Sequence, residues 1–186
     1  MRILSVCDQF FKKNSFNPFI IESIISKKVS SRMLSKLSKI CKHISNFYNL
    51  NGINNLDLVI ESNTKKIFVI ELNARPGLST NIICKIHKDI FNDSFLKKEY
   101  SNPKYFFGTQ ILYSRKKILI CEKKFKFLKS FEFSNYFSEL PINKQLIDID
   151  QPICLIHQKS KKIQILRDKL KKISYKLINN LSFIDG

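Results

Sequence analysis

Residues 51–77 read NGINNLDLVIESNTKKIFVIELNARPG, and this stretch decides the fold. Two apolar runs, Asn55–Glu61 and Ile67–Asn73, flank the polar segment Ser62-Asn63-Thr64-Lys65-Lys66. That pattern predicts a β-hairpin with a loop of about five residues. If the hairpin is symmetric about Thr64, Asp57 lies opposite Glu71 and Asn55 lies opposite Asn73. Side-chain alternation then puts Asp57, Glu71 and Asn73 on one face of the ribbon. Leu56, Leu58 and Ile60 are expected on the other face with Phe68, Ile70 and Leu72. Directly opposed side chains have Cβ atoms about 4.5–5.5 Å apart, and like charges there are destabilising. Two carboxylates and an amide oxygen converging on one point suit a hard cation such as Mg²⁺. A hairpin whose polar face is simply hydrated fits the same spacing.

On the N-terminal side, residues 1–28 read as short extended pieces broken at Asn17-Pro18. A helix follows, with Ser30 or Ser31 as N-cap and apolar residues at Met33, Leu34, Leu37, Ile40, Cys41, Ile44, Phe47 and Tyr48. Leu50-Asn51-Gly52 is expected to stop it, because Asn and Gly accept a left-handed cap. On the C-terminal side, Ile82, Ile83, Ile86 and Ile90 predict a second helix from Ser79 to about Asp89, and the polar residues 92–104 read as a linker. Strands are expected near Gln110–Tyr113, Ile118–Cys121 and Ile153–His157. Phe125, Phe127, Phe131, Phe133 and Phe137 alternate like a strand with a core face. The tail is an amphipathic helix with Ile163, Leu166, Leu170, Ile173, Leu177 and Leu181 on its buried stripe. The order of strands, helix, hairpin, helix, strands and helix is α+β. Two segments are expected, 1–91 carrying the hairpin and a β-rich 105–186 with the terminal helix.

The net charge of +18 on 186 residues invites a nucleic-acid reading. Its source argues otherwise. Of the basic residues 28 are Lys and five are Arg, beside 28 Ile, 16 Asn and a single Ala. Those are the residues of AT-rich codons, and the Lys pairs are spread along the whole chain. Nucleic-acid surfaces recruit Arg for bidentate contacts and gather charge into a stripe. No specific nucleic-acid partner is therefore expected. No apolar run approaches a membrane span, and no leader is apparent at the N-terminus. Five widely spaced cysteines without a CxxC pair predict reduced thiols in a cytoplasmic protein. Cys84 and Cys154 read as core residues, since no activating base is identifiable. His43 is expected on the polar side of its helix, His87 at an ordinary helix position, and His157 in a structural role.

Glu71-Leu72-Asn73-Ala74-Arg75-Pro76-Gly77 resembles the E-x-N-x-R-x-G signature of the ATP-grasp superfamily. Asp57, fourteen positions before Glu71, occupies the place of the family's acidic residue on the preceding strand. Leu50 to Asp57 is similar to the family's lead-in to that acid. The resemblance implies an ATP-grasp carboxylate–amine ligase, with ATP and Mg²⁺ (or Mn²⁺) as cofactors. It makes Asp57, Glu71 and Asn73 metal ligands and Arg75 the cation facing the γ-phosphate or acyl-phosphate oxygens. Mg²⁺ would offset the carboxylate repulsion, and Arg would stabilise charge on the transferred oxygens. Phe107 to Ser114, Leu140-Pro141 and Gln151-Pro152-Ile153-Cys154-Leu155 resemble, more loosely, later segments of a predicted carboligase-like ATP-grasp group linked to one-carbon or pterin metabolism.

The sequence departs from the family in one respect. Its only glycines are Gly52, Gly77, Gly108 and Gly186, so no glycine-rich phosphate loop is present. The expectation is the C-terminal half of an ATP-grasp fold, with a small β-rich segment and a terminal helix appended. It would be a truncated gene, a misplaced start, or one part of a split enzyme whose N-terminal half is a separate chain. The partners implied are ATP and a small carboxylate or amine substrate. A non-catalytic interaction protein that retains half of the fold is the alternative, and a basic nucleic-acid-binding module is a further one.

Overall fold

The structure is a computed structural model and describes residues 1–12, 19–86, 100–131 and 134–184. Its first elements are β1 (Cys7–Phe11), β2 (Ile21–Ser26), α1 (Ser31–Phe47), β3 (Asn55–Ile60), β4 (Ile67–Asn73) and α2 (Ser79–Ile86). They are followed by β5 (Phe106–Tyr113), β6 (Ile118–Leu119), α3 (Glu122–Lys129), β7 (Phe137–Ser138), β8 (Leu146–Ile147), β9 (Pro152–Ser160) and α4 (Ile163–Phe183). The class is α+β, as the element order predicts. Two compact units result, Met1–Cys7 with Lys27–Pro103, and Asp8–Ser26 with Lys104–Gly186.

In the first unit α1 starts where the sequence places it. The Met33 backbone N–H donates to Ser30 Oγ at 3.3 Å, which satisfies one of the open donors of the first turn. Leu37 is its one fully buried residue. The helix ends at Phe47, and Asn49 (φ 49°) takes the left-handed conformation ahead of Gly52 (φ 72°), so the stop comes two residues before the expected Asn51-Gly52. Phe47 and Tyr48 form an edge-to-face pair and stay exposed. In α2, Ile82 and Ile83 are buried, and Ile83 packs with Leu4, Ile53 and Cys84. The linker's end is pinned by Asn102, which accepts from Val29 N (3.0 Å) and donates to Val29 O (3.1 Å). His87 and residues 87–99 lie outside the described residues.

The second unit is a five-stranded sheet in the order β1-β2-β5-β9-β7, and the pairings β2–β5, β5–β9 and β7–β9 are antiparallel. Helix α4 lies across β5 and β9. Leu166, Leu170, Leu177 and Leu181 of its predicted stripe are all buried, in one core with Ile25, Leu112 and Ile156. Pairing of β2 with β5 draws residues 8–26 into this unit, so the two segments expected as 1–91 and 105–186 interleave. That pairing joins residues more than eighty positions apart (Ser23 with Gln110), and no local pattern signals it.

The Phe-rich run differs from expectation in conformation. Phe125 and Phe127 sit in helix α3, which buries Lys124 (2 % exposed) and Leu128 (0 %) one turn apart. Phe125, Phe127, Phe131 and Phe137 still pack against the core, and Phe131 contacts both Phe127 and Phe137. Phe133 lies outside the described residues. His157 is inside β9 and buried, with Nδ1 3.0 Å from Thr109 Oγ1 and Nε2 2.7 Å from Ser138 Oγ. Cys154 is buried, His43 is exposed, and all five cysteines are free thiols.

Candidate functional site

The site builds up from the end of the β3–β4 ribbon. Asn55 pairs with Asn73, Leu56 with Leu72 and Asp57 with Glu71, the register that symmetry about Thr64 predicts. Beyond Asp57 the register shifts by one, so that Leu58 pairs with Val69, Val59 with Phe68 and Ile60 with Ile67. Ile70 is the extra residue of a β-bulge. Such a bulge re-aims side chains and sharpens the local twist.

The bulge corrects the expected apolar face. Alternation from Asp57 puts Val59 on the acidic face, and Phe68, its partner, goes there with it. Leu58 and Ile60 are matched on the other face by Val69 and Ile67 instead of Ile70 and Phe68. Val59 and Phe68 are 53 % and 49 % exposed. The face that carries the acids therefore continues towards the turn as exposed apolar surface. On the opposite side, Ile67 lines a cleft with Ile40 of α1, rimmed by Lys36, Lys39, Lys65 and Lys66.

Asp57 and Asn73 are half-buried, whereas Glu71 and Arg75 are exposed. Asn55 Nδ2 donates to Asp57 Oδ1 at 3.0 Å. Ser79, the first residue of α2, donates its hydroxyl to Asn55 Oδ1 at 2.8 Å. Asn73 ends β4, Arg75 follows it in a bend, and the chain passes through Pro76-Gly77 into α2. A Cβ at Gly77 would meet Asn55 Cγ at 3.0 Å, so glycine is what lets the loop lie against that amide. Asn55 and Ser79 are not singled out by the sequence reading as site residues. The available signal was alternation, which puts Asn55 on the Asp57 face two residues earlier; the Ser79 contact closes only through the loop.

Among the described residues no three His, Cys, Asp or Glu side chains converge as a metal cage. A set of two carboxylates and an amide oxygen still fits Mg²⁺, which keeps several waters and takes one or two carboxylates plus substrate phosphates. It does not fit zinc, whose sites use nitrogen and sulfur donors.

No family model and no curated protein matches this chain. Solved structures do. An L-amino acid ligase from Bacillus licheniformis superposes with a TM-score of 0.61 at 14 % identity, over 96 % of this chain and 49 % of that one. The fold is ATP-grasp-like. Carboxyaminoimidazole ribonucleotide synthase from Asperigillus clavatus, solved with ATP, gives 0.58 at 8 % identity over 94 % of this chain and 46 % of its own. Phosphoribosylglycinamide synthetase from Anaerococcus prevotii gives 0.54 at 14 % identity, covering 90 % and 50 %. At these identities the likeness is one of fold, and this chain spans about half the length of each. No helix among the described residues is long and apolar enough to cross a membrane.

Proposed function

We propose that this chain is the metal- and nucleotide-binding C-terminal part of an ATP-grasp carboxylate–amine ligase, which needs the other half of that fold for activity. The pairing of Asp57 with Glu71, one strand end away from Asn73 and Arg75 in an ATP-grasp-like fold, is the observation that carries this reading. Asp57, Glu71 and Asn73 would hold Mg²⁺ (or Mn²⁺), whose charge supplies electrophilic polarisation of the ATP phosphates when bound. Asp57 and Glu71 present like charges about 4.5–5.5 Å apart at Cβ, an arrangement that a cation stabilises. Arg75 is exposed on the loop beyond Asn73. Its planar fork suits two oxygens of a phosphoryl group in transfer to a substrate carboxylate, ahead of amine attack. Val59 and Phe68 extend the same face with apolar surface, which suits the flat base of a nucleotide. Free thiols agree with a cytoplasmic location.

Calorimetric titration of the 186-residue chain with a non-hydrolysable ATP analogue tests the reading. Binding is expected to need Mg²⁺ or Mn²⁺ and to weaken at least about tenfold in Glu71→Gln, which removes one ligand charge. Metal-independent binding would refute the metal role. Steady ADP release by the chain alone would refute the need for a second half, since phosphoryl transfer depends on positioning from both sides of the nucleotide.

A further inference from the structure

The Asp57 carboxylate is held from behind by a relay that begins at the N-terminus of α2. Asn55 Nδ2 donates to Asp57 Oδ1 (3.0 Å), and Asn55 Oδ1 accepts the Ser79 hydroxyl (2.8 Å). The two ends of an amide are chemically different, so this relay has a direction. Turning the Asn55 amide over would aim its oxygen at a carboxylate oxygen, two acceptors with no proton between them. The carboxylate selects the amide orientation, and the Ser79 hydroxyl, which can donate or accept, donates to the oxygen that this orientation presents. Gly77 makes the relay possible, because a Cβ there would press on Asn55 Cγ, Cβ and Oδ1 at 3.0, 3.1 and 3.3 Å.

We propose that Asn55 is a positioning residue for Asp57, with Ser79 anchoring its amide oxygen and Gly77 giving it room. This rests on the reading of Asp57 as a metal ligand. Groups that orient a metal ligand typically change affinity by about 10–100-fold when removed, because the ligand must otherwise be ordered as the metal binds. The relay also ties the first turn of α2 to the metal face, so the loop carrying Arg75 and the carboxylate are held by one set of contacts.

The test is Mn²⁺ binding to the full chain, followed by the paramagnetic resonance of free Mn²⁺, together with ¹⁵N spectra of the Asn side-chain amides. Asn55→Ala is expected to weaken Mn²⁺ binding about tenfold, and Ser79→Ala to weaken it in the same direction by roughly three- to tenfold. Ser79→Thr restores the hydroxyl and should restore native affinity, a rescue that a space-filling role for Ser79 would not give. The Asn55 amide protons should be protected from exchange in the native chain and in Ser79→Thr, and lose protection in Ser79→Ala. Native affinity and native amide protection in Ser79→Ala would overturn the proposal, and the Ser79 pair decides the matter even if Asn55→Ala does not fold. Asp57→Asn separates the two levels. Unchanged Mn²⁺ binding there refutes the metal reading itself, whereas binding that depends on Asp57 but ignores Asn55 and Ser79 refutes only the relay.

Discussion

Replacing Glu71 by Gln should make the metal-free chain more stable and the metal-bound chain less so. The register sets Glu71 directly opposite Asp57, which implies Cβ atoms about 4.5–5.5 Å apart. Two unit charges about 5 Å apart repel by about 0.8 kcal/mol at the dielectric constant of water, and by about 3 kcal/mol at an effective value near 20. Glu71 is exposed, Asp57 is half-buried, and Asp57 already accepts a hydrogen bond from Asn55. The lower end therefore applies, and Glu71→Gln should stabilise the ribbon by about 1 kcal/mol in EDTA. On the proposed reading excess Mg²⁺ should stabilise the native chain by mass action, as a ligand that binds only the folded state does. The variant, short of one ligand charge, should gain little, so the order of stability reverses. Urea unfolding of both proteins in EDTA and in excess Mg²⁺ measures the two differences, and amide exchange on β3 and β4 localises them. A variant less stable than the native chain in EDTA, or one stabilised equally by Mg²⁺, would show that the acids do not form a repulsive pair awaiting a cation.

Other outcomes follow from particular contacts. Gly108→Val should destabilise the second unit by about 1–3 kcal/mol in urea unfolding, because even a first added carbon meets Leu170 Cδ1 at 3.0 Å and Leu166 Cδ2 at 3.2 Å. Burial pushes the Cys154 thiol up to about 12. As pH rises above the ordinary thiol value of about 8.5, the unfolded chain releases this proton before the folded one, so stability falls between there and about 12. Cys154→Val should lack that part of the alkaline loss in urea midpoints followed from neutral to about pH 11. In a ligase that contains both halves of the fold, Arg75→Lys should lower kcat by at least about tenfold with little change in KM, because an ammonium lacks the two-pronged contact to an oxyanion. Equal losses in both constants would reassign Arg75 to ground-state binding.

What the chain alone determined is local. A hydroxyl cap at Ser30 and apolar stripes at helical spacing were enough for α1 and α4, because a helix is specified by neighbours three and four positions apart. The pairing of Asp57 with Glu71 was legible because the loop between the two runs centres on Thr64, and a one-residue slip would send one acid to the opposite face. Tertiary structure decided what depends on distant partners. The extra residue at Ile70 could not be read from alternation, since a bulge costs the ribbon little while it re-aims Phe68. Phe125 and Phe127 obey a period of two in sequence yet lie on a helix, on which Leu128 is buried and both rings still pack against the core. Residues 8–26 joined the second unit through pairing of β2 with β5, a closure over more than eighty positions whose stabilisation exists only when the whole sheet forms. The same holds at the site. Two acids and an arginine are written in the motif, but the amide that aims Asp57 and the hydroxyl that anchors that amide meet only once Gly77 lets the loop close on Asn55.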